Sequence, residues 1–175
     1  MEIFNPPWPL LTNKTINMYK FIIKLRSDIL VWLTHSLALP VLKLIRKPER
    51  FPYSRKELDS FPPGTMGKEL ANFLDNKELE LLPYYARHDM KHILLGYDTT
   101  DEGEGCLQCF MLGNGHLSFP VVATVLYCFM TMPEYWPHFK AAYQRGKGSS
   151  GIGGLNWFAI LQTPTHELQK LIVKK

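Results

Sequence analysis

Proline and glycine divide this chain into short lengths, and that punctuation limits its fold more than any other feature. Proline removes a backbone donor and clashes with the preceding helical turn, so helices must fit between prolines. The stretch RKPERFPYSRKELDSFPPGTMG therefore holds no long helix until Gly64. Beyond it, apolar residues recur at helical spacing and strand alternation is weak. Helices are predicted over Thr65–Leu74, with Thr65 as N-cap, and over Pro83–Leu95, where Pro83 suits a first turn and Gly96 a stop. A third runs from about Asp101 to Leu112, opened by Asp101, Glu102 and Glu104 and closed by Gly113-Asn114-Gly115. Phe119–Met132 is apolar nearly all round and predicts a buried helix. Pro133 and Pro137 bracket a helix start, Arg145–Gly154 reads as a flexible Gly/Ser loop, Leu155–Gln162 follows, and a last helix opens at Thr163-Pro164. The expected class is all-α: a single helical domain at 48–175 preceded by a long amphipathic segment at 1–47.

With 175 residues, 46% hydrophobic and 21% charged, the chain can bury a proper core and has the balance of one globular domain. Cys106, Cys109 and Cys128 are odd in number and lack framework spacing, which points to free thiols and a reducing compartment. The apolar run Ile29–Leu42 is broken by Thr34, His35, Ser36 and Pro40 and falls short of the roughly 20 residues that span a bilayer. It also starts late and has no small-residue cleavage site after it, so neither a spanning helix nor a signal peptide is expected.

Excess positive charge sits at one end. Residues 1–47 hold seven Lys or Arg against Glu2 and Asp28, a net of +5, while the remainder is close to neutral at −1. Met18, Ile22, Leu25, Ile29 and Trp32 share one helical face, and Asn17, Lys20, Lys24 and Asp28 mark another. Such a helix either lies on an anionic membrane surface or buries its stripe in the protein core or a dimer interface. Nucleic acid is not an expected partner, because no stacking pattern of basic and aromatic residues and no binding motif occurs.

The run RHDMKHILLGYDTTDEGEG, Arg87–Gly105, carries the chemistry. On a helix, His88 and His92 at i and i+4 face the same way and can offer two imidazoles to one ion. Asp89 stands where the helical zinc-protease motif has Glu. Its shorter side chain reaches water on a metal less well as a general base, which leaves it as a ligand or as a partner to one. Glu104 follows after Gly96 and Gly103, which could fold the next helix back alongside. Two imidazoles and one or two carboxylates suit a divalent ion, zinc first, with iron, manganese and cobalt also accepting such ligands. Spacing alone equally admits two unlinked histidines beside a solvated acidic turn.

His88-Asp89-x-x-His92, eleven further residues and Glu104 resemble the HDxxHx11E signature of the ubiquinone (coenzyme Q) biosynthesis protein 4 family. Pro62-Pro63-Gly64-Thr65-Met66-Gly67 is similar to that family's PxGTxG segment. Tyr143 to Gly146, and Trp157 with Glu167-Leu168, are also similar, so the resemblance covers about 48–172. It departs in the N-terminal extension and in the unusual stretch Glu102-Gly103-Glu104-Gly105-Cys106. The resemblance implies a helical homodimer holding a divalent metal through His88, Asp89, His92 and Glu104, with Asp89 and Glu104 as candidate catalytic groups. It implies an isoprenoid-tailed aromatic quinone precursor as ligand, with decarboxylation and hydroxylation of its ring, or else a scaffold for other quinone-biosynthesis proteins with a structural metal. The implied location is the membrane surface: the cytoplasmic face of the inner membrane in a bacterium, or the matrix face of the mitochondrial inner membrane in a eukaryote.

Other residues are more plainly structural. Cys106 and Cys109 at i and i+3 read as buried inert thiols rather than soft ligands or a redox pair. His35, His116, His138 and His166 lack paired spacing and read as structural or exposed. The aromatic run Phe129–Phe139 reads as core in preference to a lipid pocket, and Arg145 and Lys147 either meet an anionic group or stay solvated.

Overall fold

The computed structural model describes residues 13–32, 40 and 49–173. Among the described residues eight α-helices occur in this order: α1 Asn13–Val31, α2 Arg55–Asp59, α3 Met66–Asn76, α4 Ala86–Leu95, α5 Asp101–Gly113, α6 Phe119–Thr131, α7 Trp136–Gly148 and α8 Thr165–Ile172. Short 3₁₀ turns lie at Pro133–Tyr135 and Ala159–Gln162. No strand forms among the described residues, where only two isolated bridges, Thr65 with Pro164 and Ser149 with Val173, tie loops together. The all-α expectation holds. Of the N-terminal segment, His35, the basic residues Lys43, Arg46 and Lys47 and the stretches on both sides of Pro40 fall in 33–39 and 41–48, outside the described residues, so the expected break near Pro40 lies there too.

Helix α5 is central. Every residue from Gly103 to Met111 is buried. It supplies Leu107, Phe110 and Met111 to a larger core with Leu58, Leu70 and Leu94, and Cys106 and Cys109 to a smaller one with Leu30, Cys128 and Phe139. A helix covered on all sides can carry small residues where its neighbours come close. A Cβ on Gly113 would sit 2.2 Å from the Tyr143 carbonyl oxygen, and one on Gly146 would sit 2.2 Å from that of Phe110. These two glycines let α5 and α7 approach backbone to backbone.

Three sequence expectations change here. The helix carrying the histidines starts at Ala86 rather than Pro83, because the Leu82 carbonyl accepts from both Tyr85 and Ala86 and makes a turn first. Arg145–Gly148 are helical, and the loop after them is pinned rather than flexible: Asn114 donates to the carbonyls of Gly146 and Ser150 and accepts from the Ile152 N–H. Helix α6 buries only Val121, Thr124 and Cys128, while Leu126, Phe129 and Met130 are exposed. Hydropathy reported its apolar character correctly, but α6 packs on α5 and α1 and keeps a face that the described residues leave uncovered.

Helix α1 docks by a face other than the apolar one. Ile23, Arg26, Ser27 and Leu30 turn toward the body of the protein, at i, i+3, i+4 and i+7. The Arg26 guanidinium donates to Glu134 and to the Thr131 carbonyl, Ser27 donates to Asp101, and Tyr127 donates to the Arg26 carbonyl. Met18, Ile22, Leu25, Ile29 and Trp32 remain exposed, together with Tyr19 and Phe21. No helix of the described residues is long and apolar enough to cross a membrane.

Candidate metal centre

The histidines reach the site because α4 stops sharply. Gly96 takes the left-handed conformation, φ 71°, and its N–H donates to the His92 carbonyl, as glycine does at helix ends. The chain then turns back, the Asp98 carboxylate accepts from the Thr100 N–H, and the Thr100 hydroxyl caps α5 by accepting from Gly103. Gly103 has no alternative here, since a Cβ would lie 2.1 Å from the Asp98 carboxylate. Glu104 thus arrives in the first turn of α5, where the helix dipole favours negative charge.

Three ligand-type atoms converge there. His88 Nε2 and His92 Nε2 are 3.0 Å apart, and Glu104 Oε2 is 3.1 Å from each. His92 and Glu104 are buried, and His88 keeps about a quarter of its side chain exposed, 24%. The His92 ring stacks on Phe73 at 6.2 Å, and its Nδ1 lies 3.1 Å from the Tyr97 carbonyl oxygen. A carbonyl only accepts, so Nδ1 carries a proton, and Nε2 is the ring atom turned toward His88 and Glu104 and able to serve as a ligand.

Charge follows this geometry. Burial alone would raise the Glu104 pKa, but the two imidazoles beside it hold its carboxyl well below the usual carboxylate range. Burial opposes charge on His88 too, and the Glu104 carboxylate overcomes it and raises the His88 pKa. Burial raises that of Asp89.

The donor set fits a divalent ion. Three atoms that can each act as a metal ligand lie 3.0–3.1 Å from one another, and one cation placed among them would satisfy all three at once. His88, His92 and Glu104 are the group able to share an ion among the described residues; Asp89 lies outside that trio while interacting electrostatically with all three members. The cysteines are elsewhere. Burial pushes the Cys106 thiol up to about 11 and those of Cys109 and Cys128 to about 12, which leaves them inert near neutral pH. His138 pairs with Glu102 at the surface. Arg145 donates to the Leu95 carbonyl and lies over the Tyr97 and Phe110 rings, so it braces α7 against the end of α4. Of the aromatic run, Phe139 is core, whereas Phe129 and Trp136 stack on each other outside it.

Sequence reading did not find Gln108, whose side-chain amide donates to Glu104 Oε1 at 2.8 Å, nor the Tyr97 carbonyl. The signal for Gln108 was available: it stands four residues after Glu104 on a predicted helix.

No family model matches the chain, and no curated protein matches it at a significant level. Among solved structures it is similar to a protein from Nostoc punctiforme provisionally named a ubiquinone biosynthesis protein. The match has 18% sequence identity and a TM-score of 0.59, over 92% of this chain and 89% of that one. At that identity the likeness shows a shared fold.

Proposed function

We propose that this chain is a divalent-metal-dependent protein of quinone biosynthesis that acts on a polyprenylated aromatic precursor, in the manner of ring decarboxylation and hydroxylation. The observation that carries this reading is the convergence of His88, His92 and Glu104 on one point, at positions matching the HDxxHx11E pattern. The fold shared with the Nostoc punctiforme protein supports it.

When bound, the ion would supply Lewis-acid polarisation of a ring carboxylate and, if redox-active, a route for electrons. His88, His92 and Glu104 would hold it. Two imidazoles and a carboxylate suit zinc first, and iron, manganese and cobalt also accept such ligands. Asp89, half-buried beside the trio and interacting electrostatically with all three of its members, is the residue we assign to proton transfer.

Quinone profiling of a strain lacking this gene tests the proposal. The wild-type chain is expected to restore the end product, and Glu104→Ala to leave a carboxylated ring precursor to accumulate. Full restoration by Glu104→Ala would leave the scaffold reading in its place.

The exposed stripe of α1, with Lys20 and Lys24 beside it, supports placement on an anionic membrane surface, cytoplasmic or matrix-facing according to the organism. Arg26 adds nothing to that surface, since it is committed to Glu134 and Asp101. The full chain is expected to float with anionic vesicles at low salt and to lose part of that binding at high salt, as exposed charges become screened. Absence of flotation at low salt, with a dimer in light scattering, would assign the stripe to a second copy of the chain.

A further inference from the structure

Glu104 uses its two oxygens differently. Oε2 faces both imidazoles at 3.1 Å, and Oε1 accepts the Gln108 amide at 2.8 Å. Gln108 lies one turn further along α5 and is buried, at 8% exposure. The orientation of its carboxamide follows from its partner: an ionised carboxylate only accepts, so the nitrogen must face Oε1. A glutamate's terminal torsion is broad and two-fold, so without a fixed donor the carboxylate could present either oxygen, or both, to an ion.

We propose that Gln108 is a positioning residue that commits Glu104 to holding a metal through Oε2 alone. The inference rests on the metal reading above and refines it. Oxygen Oε1 would then be withheld from an ion, so the chain would contribute three atoms and leave room at the site for solvent or a substrate oxygen. The same hydrogen bond places Oε2 at equal distance from both histidines, which a swinging carboxylate would not keep.

The test uses the full-length protein and Co(II) as the probe, read by affinity and by its visible absorption bands. Gln108→Met keeps nearly the same volume and removes the donor. Gln108→Asn keeps an amide that is one methylene too short. Loss of an outer partner to a ligand typically costs about 10–100-fold in metal affinity, so the expected order is wild type, then Asn, then Met, with altered cobalt bands in the weaker binders. Thermal unfolding of the metal-free proteins separates this from a fold defect; if the Met protein does not fold, the Asn protein decides, with several-fold weaker binding expected. Wild-type affinity and unchanged bands in the folded variants would overturn the role of Gln108 and leave the metal site standing. No Co(II) uptake by the wild type would overturn the metal site, and this inference with it.

Discussion

His88→Ala protein is expected to hold no stoichiometric divalent metal under conditions in which the wild type holds about one ion per chain, with affinity lowered by more than about 100-fold. Three atoms make the site, so losing one leaves two donors that solvent can outcompete. His88 is the cleanest choice because it is the most exposed of the three. His92 packs on Phe73 and donates to the Tyr97 carbonyl, so His92→Ala adds an orphaned acceptor that costs about 1–3 kcal/mol of stability. His138→Ala, a surface change, should leave metal content intact. The pH dependence has a definite sign. His88 has a folded pKa raised by Glu104, so its contribution to metal-free stability is complete below its unfolded value of about 6.5 and is lost as pH rises through the raised value. The Glu104 pKa is depressed, and its contribution is present above about 4.3 and lost as pH falls through the depressed value. A metal must displace the His88 proton, so the rise in unfolding temperature on adding metal should grow from pH 6 to pH 8. Elemental analysis and thermal unfolding with and without metal measure both effects; equal metal content in wild type and His88→Ala would end the assignment.

The site was legible because its geometry is local. Spacing of i and i+4 places His88 and His92 on one face whatever surrounds them, Gly96 stops the helix through its own backbone freedom, and the acidic residues Asp101, Glu102 and Glu104 start the next. Features that depend on a distant partner were not legible. Helix α6 reads as buried from its composition, yet burial is decided by which neighbours cover it, and Phe119, Leu126, Phe129 and Met130 stay exposed among the described residues. Helix α1 has an obvious apolar stripe, yet Arg26 and Ser27 choose the docking face through partners more than seventy positions away, at Asp101, Thr131 and Glu134. Gln108 followed a local rule but became meaningful only once Glu104 was known to use a single oxygen toward the histidines.

Gly146→Ala should destabilise the fold strongly, while Gly148→Ala, two residues along the same helix, should not. The segment Arg145–Gly154 reads as flexible because glycine is usually taken as freedom, but Gly146 is needed for closeness. A methyl there would lie 2.2 Å from the Phe110 carbonyl oxygen and 3.0 Å from the Asn114 amide nitrogen, both backbone atoms of the α5 end that cannot rotate aside. The Tyr143 carbonyl presses on Gly113 in the same way, so α7 would have to lift off α5. Phe139 would move with it, and Phe139 packs against Gly105, next to Glu104. Overpacking of this kind costs about 3 kcal/mol or more, and at this chain length that lowers the unfolding temperature by about 10 °C. A Cβ at Gly148 meets nothing within 4 Å, so its alanine variant gains helix propensity and should match or slightly exceed the wild type, by up to about 1 kcal/mol. Calorimetry of the two variants beside the wild type reads the difference, and a metal titration of Gly146→Ala should show weaker binding, because the strain reaches the helix that carries Glu104. Equal unfolding temperatures for the two variants would mean that α5 and α7 do not meet backbone to backbone.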